Sequence, residues 1–268
     1  MKTKQIFYLC LFFIFHSSFF FLSAQPQEQY PMNVNVLTVD ELPKDVYSKL
    51  RIGLNGGGVY RIAKLQSSKN QQIDDFFQRL RWGMTFNADL TYFFSQEFGV
   101  GALYSYARHS NKINNFEYEP YPESFPQKNG ILDDRIVIQF IGPAFQYRYN
   151  INYRGDAFTS HIALGYVDYR DKFFSPYAYP DFNTSSTPSS GGWKKASSGV
   201  FGVHLGIGYD FALSETWALG VQLAGLIATR SKEKRTDDNG QTASINLDKN
   251  SIDNLARVEL TVGLRFNK

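Results

Sequence analysis

The chain has 268 residues, 43% of them hydrophobic and 16% aromatic, including 24 Phe and 17 Tyr. A mean hydropathy of −0.32 excludes a bundle of membrane helices, yet suits strands that are polar on one face only. The formal net charge of +3 drops by two if a leader carrying Lys2 and Lys4 is removed, so the apparent basicity gives no argument for nucleic-acid binding.

Lys2 and Lys4 precede an apolar run from Ile6 to Leu22, and Ser23-Ala24-Gln25 offers a small-residue cleavage site. This is the layout of a secretory signal peptide, assigned to residues 1–24. The single cysteine, Cys10, lies within it and lacks the small preceding residues of a lipoprotein cleavage box. The exported chain then has no thiol, which removes disulfides and thiol catalysis from consideration. Residues 25–48, with Pro26, Pro31 and Pro43 and no alternation, read as a lead-in segment.

From residue 49 onward the pattern has period two. Strand one, about 50–62, sets Leu50, Ile52, Leu54 and Tyr60 against Arg51, Asn55 and Arg61; Gly56-Gly57-Gly58 within it suggests a bulge or close packing. Strand two, 81–94, is the cleanest, with Trp82, Met84, Phe86, Ala88, Leu90, Tyr92 and Phe94 on one face. Strand three follows at 98–108 and strand four at 134–149, whose pattern slips at Gly142-Pro143 as at a β-bulge. Strand five is placed at 157–170, six at 198–212, seven at 216–230 and eight at 252–266.

The connections alternate in length. Residues 63–79, 109–133, 171–197 and 231–251 are long and polar or proline-rich, whereas 95–97, 150–156 and 213–215 are short. A soluble sandwich has no rule that separates odd from even connections. A barrel in an outer membrane does, with short periplasmic turns and long outer loops, and an even strand count returns both termini to the periplasm. Aromatics cluster at both strand ends, Tyr92, Phe98, Tyr149, Phe211, Trp217 and Phe266 at one and Tyr60, Trp82, Tyr106, Tyr166 and Phe201 at the other, as two headgroup girdles require. The reading is all-β: an antiparallel eight-stranded up-and-down transmembrane β-barrel over 49–268, with 25–48 as a periplasmic lead-in.

The eight alternating segments, the leader and the last strand, Val258-Glu259-Leu260-Thr261-Val262-Gly263-Leu264-Arg265-Phe266, resemble the small outer-membrane barrels of the OmpA/OmpX-like, porin-family type. The resemblance implies outer-membrane lipid as surroundings and recognition of the strand ending at Phe266 by the barrel-insertion machinery. Asn267 and Lys268 after the terminal aromatic depart from the pattern. Such barrels include adhesins, structural anchors and lipid-modifying enzymes, so the resemblance implies architecture and not activity.

An eight-stranded barrel is just wide enough to be filled by its own side chains. Parity turns Arg51, Asn87, Asp89, Arg148, His161, His204, Asp210, Arg257, Glu259 and Arg265 inward. Buried charges must be paired, so Glu259, Asp89 and Asp210 are expected to be neutralised by Arg257, Arg51, Arg148 or Arg265. Contact between Glu259 and arginines of strand one is expected at closure. His161 and His204 lie on neighbouring strands as an interior pair with no third metal ligand, and no cofactor, metal or catalytic residue is assigned. His109-Ser110, with Asp133, Asp134 and Glu117 nearby in sequence, is a weak acyl-transfer signature because neighbours on a strand face opposite ways. Asp237-Asp238-Asn239-Gly240 reads as a turn rather than a calcium loop. The second and third long loops carry Tyr118, Tyr121 and Phe125, and Tyr177, Tyr179 and Phe182, either as a lid or as a recognition patch for an extracellular ligand. The expected function is a non-enzymatic envelope barrel with a self-filled lumen. A small passive pore and a lipid-modifying enzyme are the alternatives.

Overall fold

Period-two alternation becomes strand when one row of side chains is buried and the other is left outside. In the computed structural model, which describes residues 48–62, 71–118, 128–151, 155–177, 190–236, 240–247 and 253–268, the chain forms strands β1 (Leu50–Arg61), β2 (Trp82–Phe93), β3 (Phe98–Tyr118), β4 (Lys128–Asn150), β5 (Ala157–Tyr177), β6 (Ser190–Ala212), β7 (Trp217–Arg230), β8 (Lys232–Thr236), β9 (Thr242–Asn246), β10 (Asp253–Asn254) and β11 (Arg257–Asn267), with helix α1 (Gln71–Arg79) between β1 and β2. Each of β1 to β6 pairs antiparallel with the next, and β11 pairs with both β7 and β1, closing an eight-stranded barrel. The β8–β9 hairpin extends the upper part of β6. Residues 1–47, which hold the leader and nearly all of the lead-in segment, lie outside the described residues.

The outward row is apolar through the middle of every barrel strand, with Leu54, Leu90, Val100, Ile141, Leu164, Ile207, Leu223 and Leu260 all exposed. A continuous belt of this extent is not a surface for water. The 12-residue strands β1 and β2, at about 3.3 Å per residue and a tilt of about 45°, cover roughly 28 Å, the thickness of a bilayer core. At one end the turns are tight. Phe94 N donates to Phe98 O at 3.1 Å and Leu213 N to Trp217 O at 2.8 Å, while the Ser95 and Ser214 hydroxyls accept from Phe98 N and Trp217 N. The β4–β5 turn uses Gly155 at φ 94°, a left-handed conformation that favours glycine. Rings gather at this end, as in the Trp217–Phe266 and Tyr209–Phe211 contacts, with Tyr60–Trp82 at the other.

Several expectations are corrected. β3 to β6 are 21 to 23 residues long, so much of 109–133 and 171–197 is strand that projects past the apolar belt. Beyond that belt polar residues stand on both faces, as at Asn111 and Lys112 or Asp133 and Asp134, and alternation no longer marks a strand. There is no bulge at Gly142-Pro143: the β3–β4 register runs through it unbroken, Leu103 opposite Gly142 and Ala102 opposite Pro143, and shifts instead between Ile113 and Phe116. What changes there is polarity, because Ile136, Ile138 and Phe140 turn into the lumen while Arg135 and Gln139 turn out. The glycine triplet is likewise unbulged; it permits close packing, since a Cβ on Gly57 would collide with the Leu260 carbonyl oxygen. Finally, the polar 63–79 connection contains α1. Ile73, Phe76, Phe77 and Leu80 share one face of it at i, i+3, i+4 and i+7, with Asp74 in its first turn and Arg79 in its last, complementing the helix dipole.

Candidate functional site

The lumen is the site toward which the inward rows converge, and it is layered. At the short-turn end, Arg51 of β1 is the hub. Its Nη1 donates to Asp89 Oδ2 at 2.5 Å and to Gln146 Oε1 at 3.2 Å, and its Nη2 donates to Asp210 Oδ2 at 3.1 Å. Arg265 approaches the other Asp210 oxygen at 3.3 Å. All four ionic side chains are buried. Glycines make room for them, since a Cβ on Gly53 would collide with the Asp89 carboxylate and one on Gly220 would fall 2.6 Å from Arg265 Nη2. Arg148 is directed elsewhere. It donates to the Ser48 and Gln96 carbonyls and lies 3.9 Å from the Phe93 ring centroid.

The middle layer is organised by Glu259, which is 0% exposed. Arg257, two residues away on the same face of β11, donates to Glu259 Oε1 at 2.6 Å, to Ser105 Oγ at 2.6 Å and to the Ile138 carbonyl at 3.0 Å. Asn87 and Thr85 donate to Glu259 Oε2 at 2.8 and 3.1 Å. The partner of Glu259 is therefore Arg257 on its own strand, not an arginine of strand one, because Arg51 is engaged one layer down. His161 Nε2 and His204 Nδ1 are 2.9 Å apart, their rings stacked at 5.2 Å, and Gln222 reaches His161 Nδ1 at 3.1 Å. The pair links Gln222 to Glu259, from which His204 Nε2 lies 3.8 Å. Among the described residues no group of three His, Cys, Asp or Glu surrounds a metal-sized space.

Above these layers the filling turns to hydrocarbon. Leu80, at the end of α1, packs with Ile136, Ile138, Phe140, Val167, Tyr169, Leu226 and Leu255, and Phe76 of the helix packs with Leu132. Asn111 Nδ2 donates to the Phe76 carbonyl at 2.8 Å and ties the helix to β3. The 3–4 spacing of this plug is present in the sequence, but it lies inside a long polar connection that reads as loop. At the rim above, beyond the apolar belt, Arg230 lies 4.1 Å over the Tyr169 ring and 2.7 Å from Glu233, and Tyr169 donates to Asp171 at 3.1 Å. Burial, reinforced by the charge of Asp171, pushes the Asp134 carboxyl up to about 9.

His109 and Ser110 do not assemble into a catalytic pair. His109 is fully buried toward the lumen, Ser110 is exposed outside, Asp133 faces outward onto Arg135 at 3.1 Å and Asp134 faces inward. The Glu117 side chain lies outside the described residues, as do those of Tyr118 and Tyr177, whose backbones end β3 and β5. Tyr121, Phe125, Tyr179 and Phe182, and Asp237 to Asn239, also lie outside them.

The family model for the outer membrane protein beta-barrel domain matches residues 22–266. The closed barrel with its apolar belt agrees with that description, and the chain belongs to the family: it is an outer-membrane β-barrel protein. Similar solved structures include the outer membrane protease OmpT of Escherichia coli, at 9% identity, covering 82% of this chain and 96% of that one with a TM-score of 0.45. Neisserial surface protein A is similar at 12% identity, 82% and 98% coverage and a TM-score of 0.42, and a major outer membrane protein of Thermus thermophilus at 10% identity, 82% and 99% coverage and a TM-score of 0.45. No curated protein matches the chain significantly in sequence.

Proposed function

We propose that the protein is a non-enzymatic barrel that serves envelope structure and presents its projecting β3–β6 sheet to the outside, with the short turns and both termini in the periplasm. The observation that carries this reading is the continuous filling of the lumen: an ionic layer around Arg51, a second around Glu259 and an apolar plug under α1, with Arg257, Glu259, Leu226 and Leu255 at 1% exposure or less. A solute path has to displace paired charges and close-packed hydrocarbon in turn, both costly. Catalysis needs a nucleophile or activated water beside an orienting base, and the separation of His109 from Ser110 on opposite faces argues against the acyl-transfer version.

The test is conductance of the purified mature barrel in planar bilayers. Closed baseline traces are expected for the native chain, and openings for a variant in which α1 is deleted. Steady ohmic steps from the native chain sink the proposal in favour of the pore. Unchanged lipid A profiles in cells carrying His109→Ala are expected as well; a lost modification revives the enzyme.

A further inference from the structure

The outer apolar belt does not end in the same chemistry all the way round. On β1, β2, β7 and β11 the outward residues nearest the long-loop end are Tyr60, Trp82, Thr229 and Val258, none of them charged, with Arg81 just before β2 donating to the Tyr60 hydroxyl at 3.0 Å. On the other half of the barrel Arg108 stands directly above Tyr106, and above Tyr166 and Phe201 the cations Arg170 and Lys195 follow after Asp168 and after Gly199 and Ser197. Arg108 on β3 stands opposite Val137, which stands opposite Arg170; Arg170 stands opposite Ser197, and Ser197 opposite Lys234 of β8. One step higher, Arg135, Lys172 and Lys195 stand in register across β4, β5 and β6. With strands about 4.8 Å apart, these six side chains form one patch. Two acids share it, Asp133 with Arg135 at 3.1 Å and Asp168 with Arg170 at 2.8 Å, and these arginines remain 48% and 65% exposed. Arg108, Lys172, Lys195 and Lys234 have no ion-pair partner among the described residues.

Immediately beneath the patch the same half carries a groove of about 380 Å³ on the lipid-facing surface, lined by Tyr104, Gln139, Ile141, Tyr166, Asp168 and Arg170. Its lining combines two phenol rings and Ile141 with Asp168 and Arg170, which are paired at 2.8 Å. We propose that this face binds a phosphate-bearing lipid of the outer leaflet, with an acyl chain in the Tyr104–Tyr166 groove and phosphate on Arg170, Lys172 and their cationic neighbours. The location commits the ligand to a lipid: the cations point sideways from the barrel wall at the edge of the apolar belt, where headgroups lie. Guanidinium groups and a lysine cluster are the chemistry that holds phosphate at a membrane surface. The inference rests on the orientation proposed above, because the opposite orientation puts the patch in the inner leaflet.

Two measurements separate the two claims. Labelling of Lys234→Cys on intact cells with a membrane-impermeant maleimide tests orientation alone, and labelling is expected. Native mass spectrometry of the refolded barrel with bisphosphorylated lipid A, and with the same lipid enzymatically stripped of phosphate, tests binding. We expect retention of the bisphosphorylated lipid, about tenfold weaker binding of the stripped form, and a similar loss in Arg170→Gln/Lys172→Gln, since one charge-assisted contact is worth about a factor of ten. Heat-modifiable gel mobility checks that the variant is folded, and Lys195→Gln/Lys234→Gln is an independent second variant expected to weaken binding in the same direction. Equal binding of stripped and phosphorylated lipid overturns the proposal, as does native affinity in both variants. Inositol hexakisphosphate bound as tightly as the lipid overturns the assignment of the groove to an acyl chain.

Discussion

Below the level of His204 the lumen is held by ions, and above it by hydrocarbon. In the lower part each acid is matched within one hydrogen-bond length, Asp89 and Asp210 by Arg51, Glu259 by Arg257, and Asn87 and Ser105 add further bonds to Glu259. In the upper part Leu80, Ile138, Leu226 and Leu255 belong to one apolar cluster. The two fillings fail differently. A buried ion pair adds little over apolar packing, yet half of one is very costly, whereas a hydrophobic plug loses stability in proportion to the volume removed. The lower part therefore fixes which strands face which, and the upper part supplies the seal.

The largest expected effect comes from breaking the lower part. Glu259→Gln leaves Arg257 buried without its counter-charge and should destabilise the barrel by about 3–5 kcal/mol, measured by urea unfolding in detergent micelles. Arg257→Met combined with Glu259→Gln should cost distinctly less than the two single changes added; strict additivity would show that the pair does not act as a unit. Next, Leu226→Ala should cost about 3 kcal/mol through the cavity it leaves beside Leu80 and Leu255, and should raise the frequency of bilayer conductance events where the lower changes do not.

A third comparison sets the buried rim acid against the paired acids beneath it. Asp134 keeps its proton in the folded barrel up to about pH 9, while the unfolded chain releases it near pH 4. Across that window the folded state binds the extra proton, so this group's contribution to stability is full below about pH 4 and is lost progressively as pH rises toward 9. Asp134→Asn should flatten the alkaline decline in the thermal midpoint between about pH 5 and pH 9; an unchanged slope would remove Asp134 as its source. The smallest effect belongs to the exposed outer pair. Arg170→Gln should leave unfolding within about 1 kcal/mol of the native value, which isolates any change in lipid binding from a change in fold.

How far the sequence revealed this depends on where period two and burial coincide. Along Trp82–Phe93 one face meets lipid and the other meets paired charge, so every residue reports its side, and the inward placement of Arg51, Asn87, Asp210 and Glu259 follows from parity alone. Pairing does not. Whether Glu259 meets Arg257 or an arginine of β1 depends on stagger around the cylinder, a quantity no single strand encodes. The region around Gly142 misled for the opposite reason: the outside turned polar and the inside apolar at the same height, and an inversion of chemistry resembles a slip of register. The long β3–β6 extensions were hidden because polar residues occupy both of their faces, as at Asn111 and Lys112 or Asp171 and Lys172, so alternation is lost even where the backbone stays paired.

The plug has an order of assembly built into it. Leu80 comes from the segment that leads into β2, whereas Leu226 and Leu255 come from near the far end of the chain, and Ile62 N reaches the Ala256 carbonyl at 2.9 Å across the seam between β1 and β11. Hydrocarbon from both ends of the polypeptide can meet only once that seam has joined. An open, half-inserted sheet would thus leave the greasy cap resting on β4 and β5 alone, and joining of the seam completes the stopper.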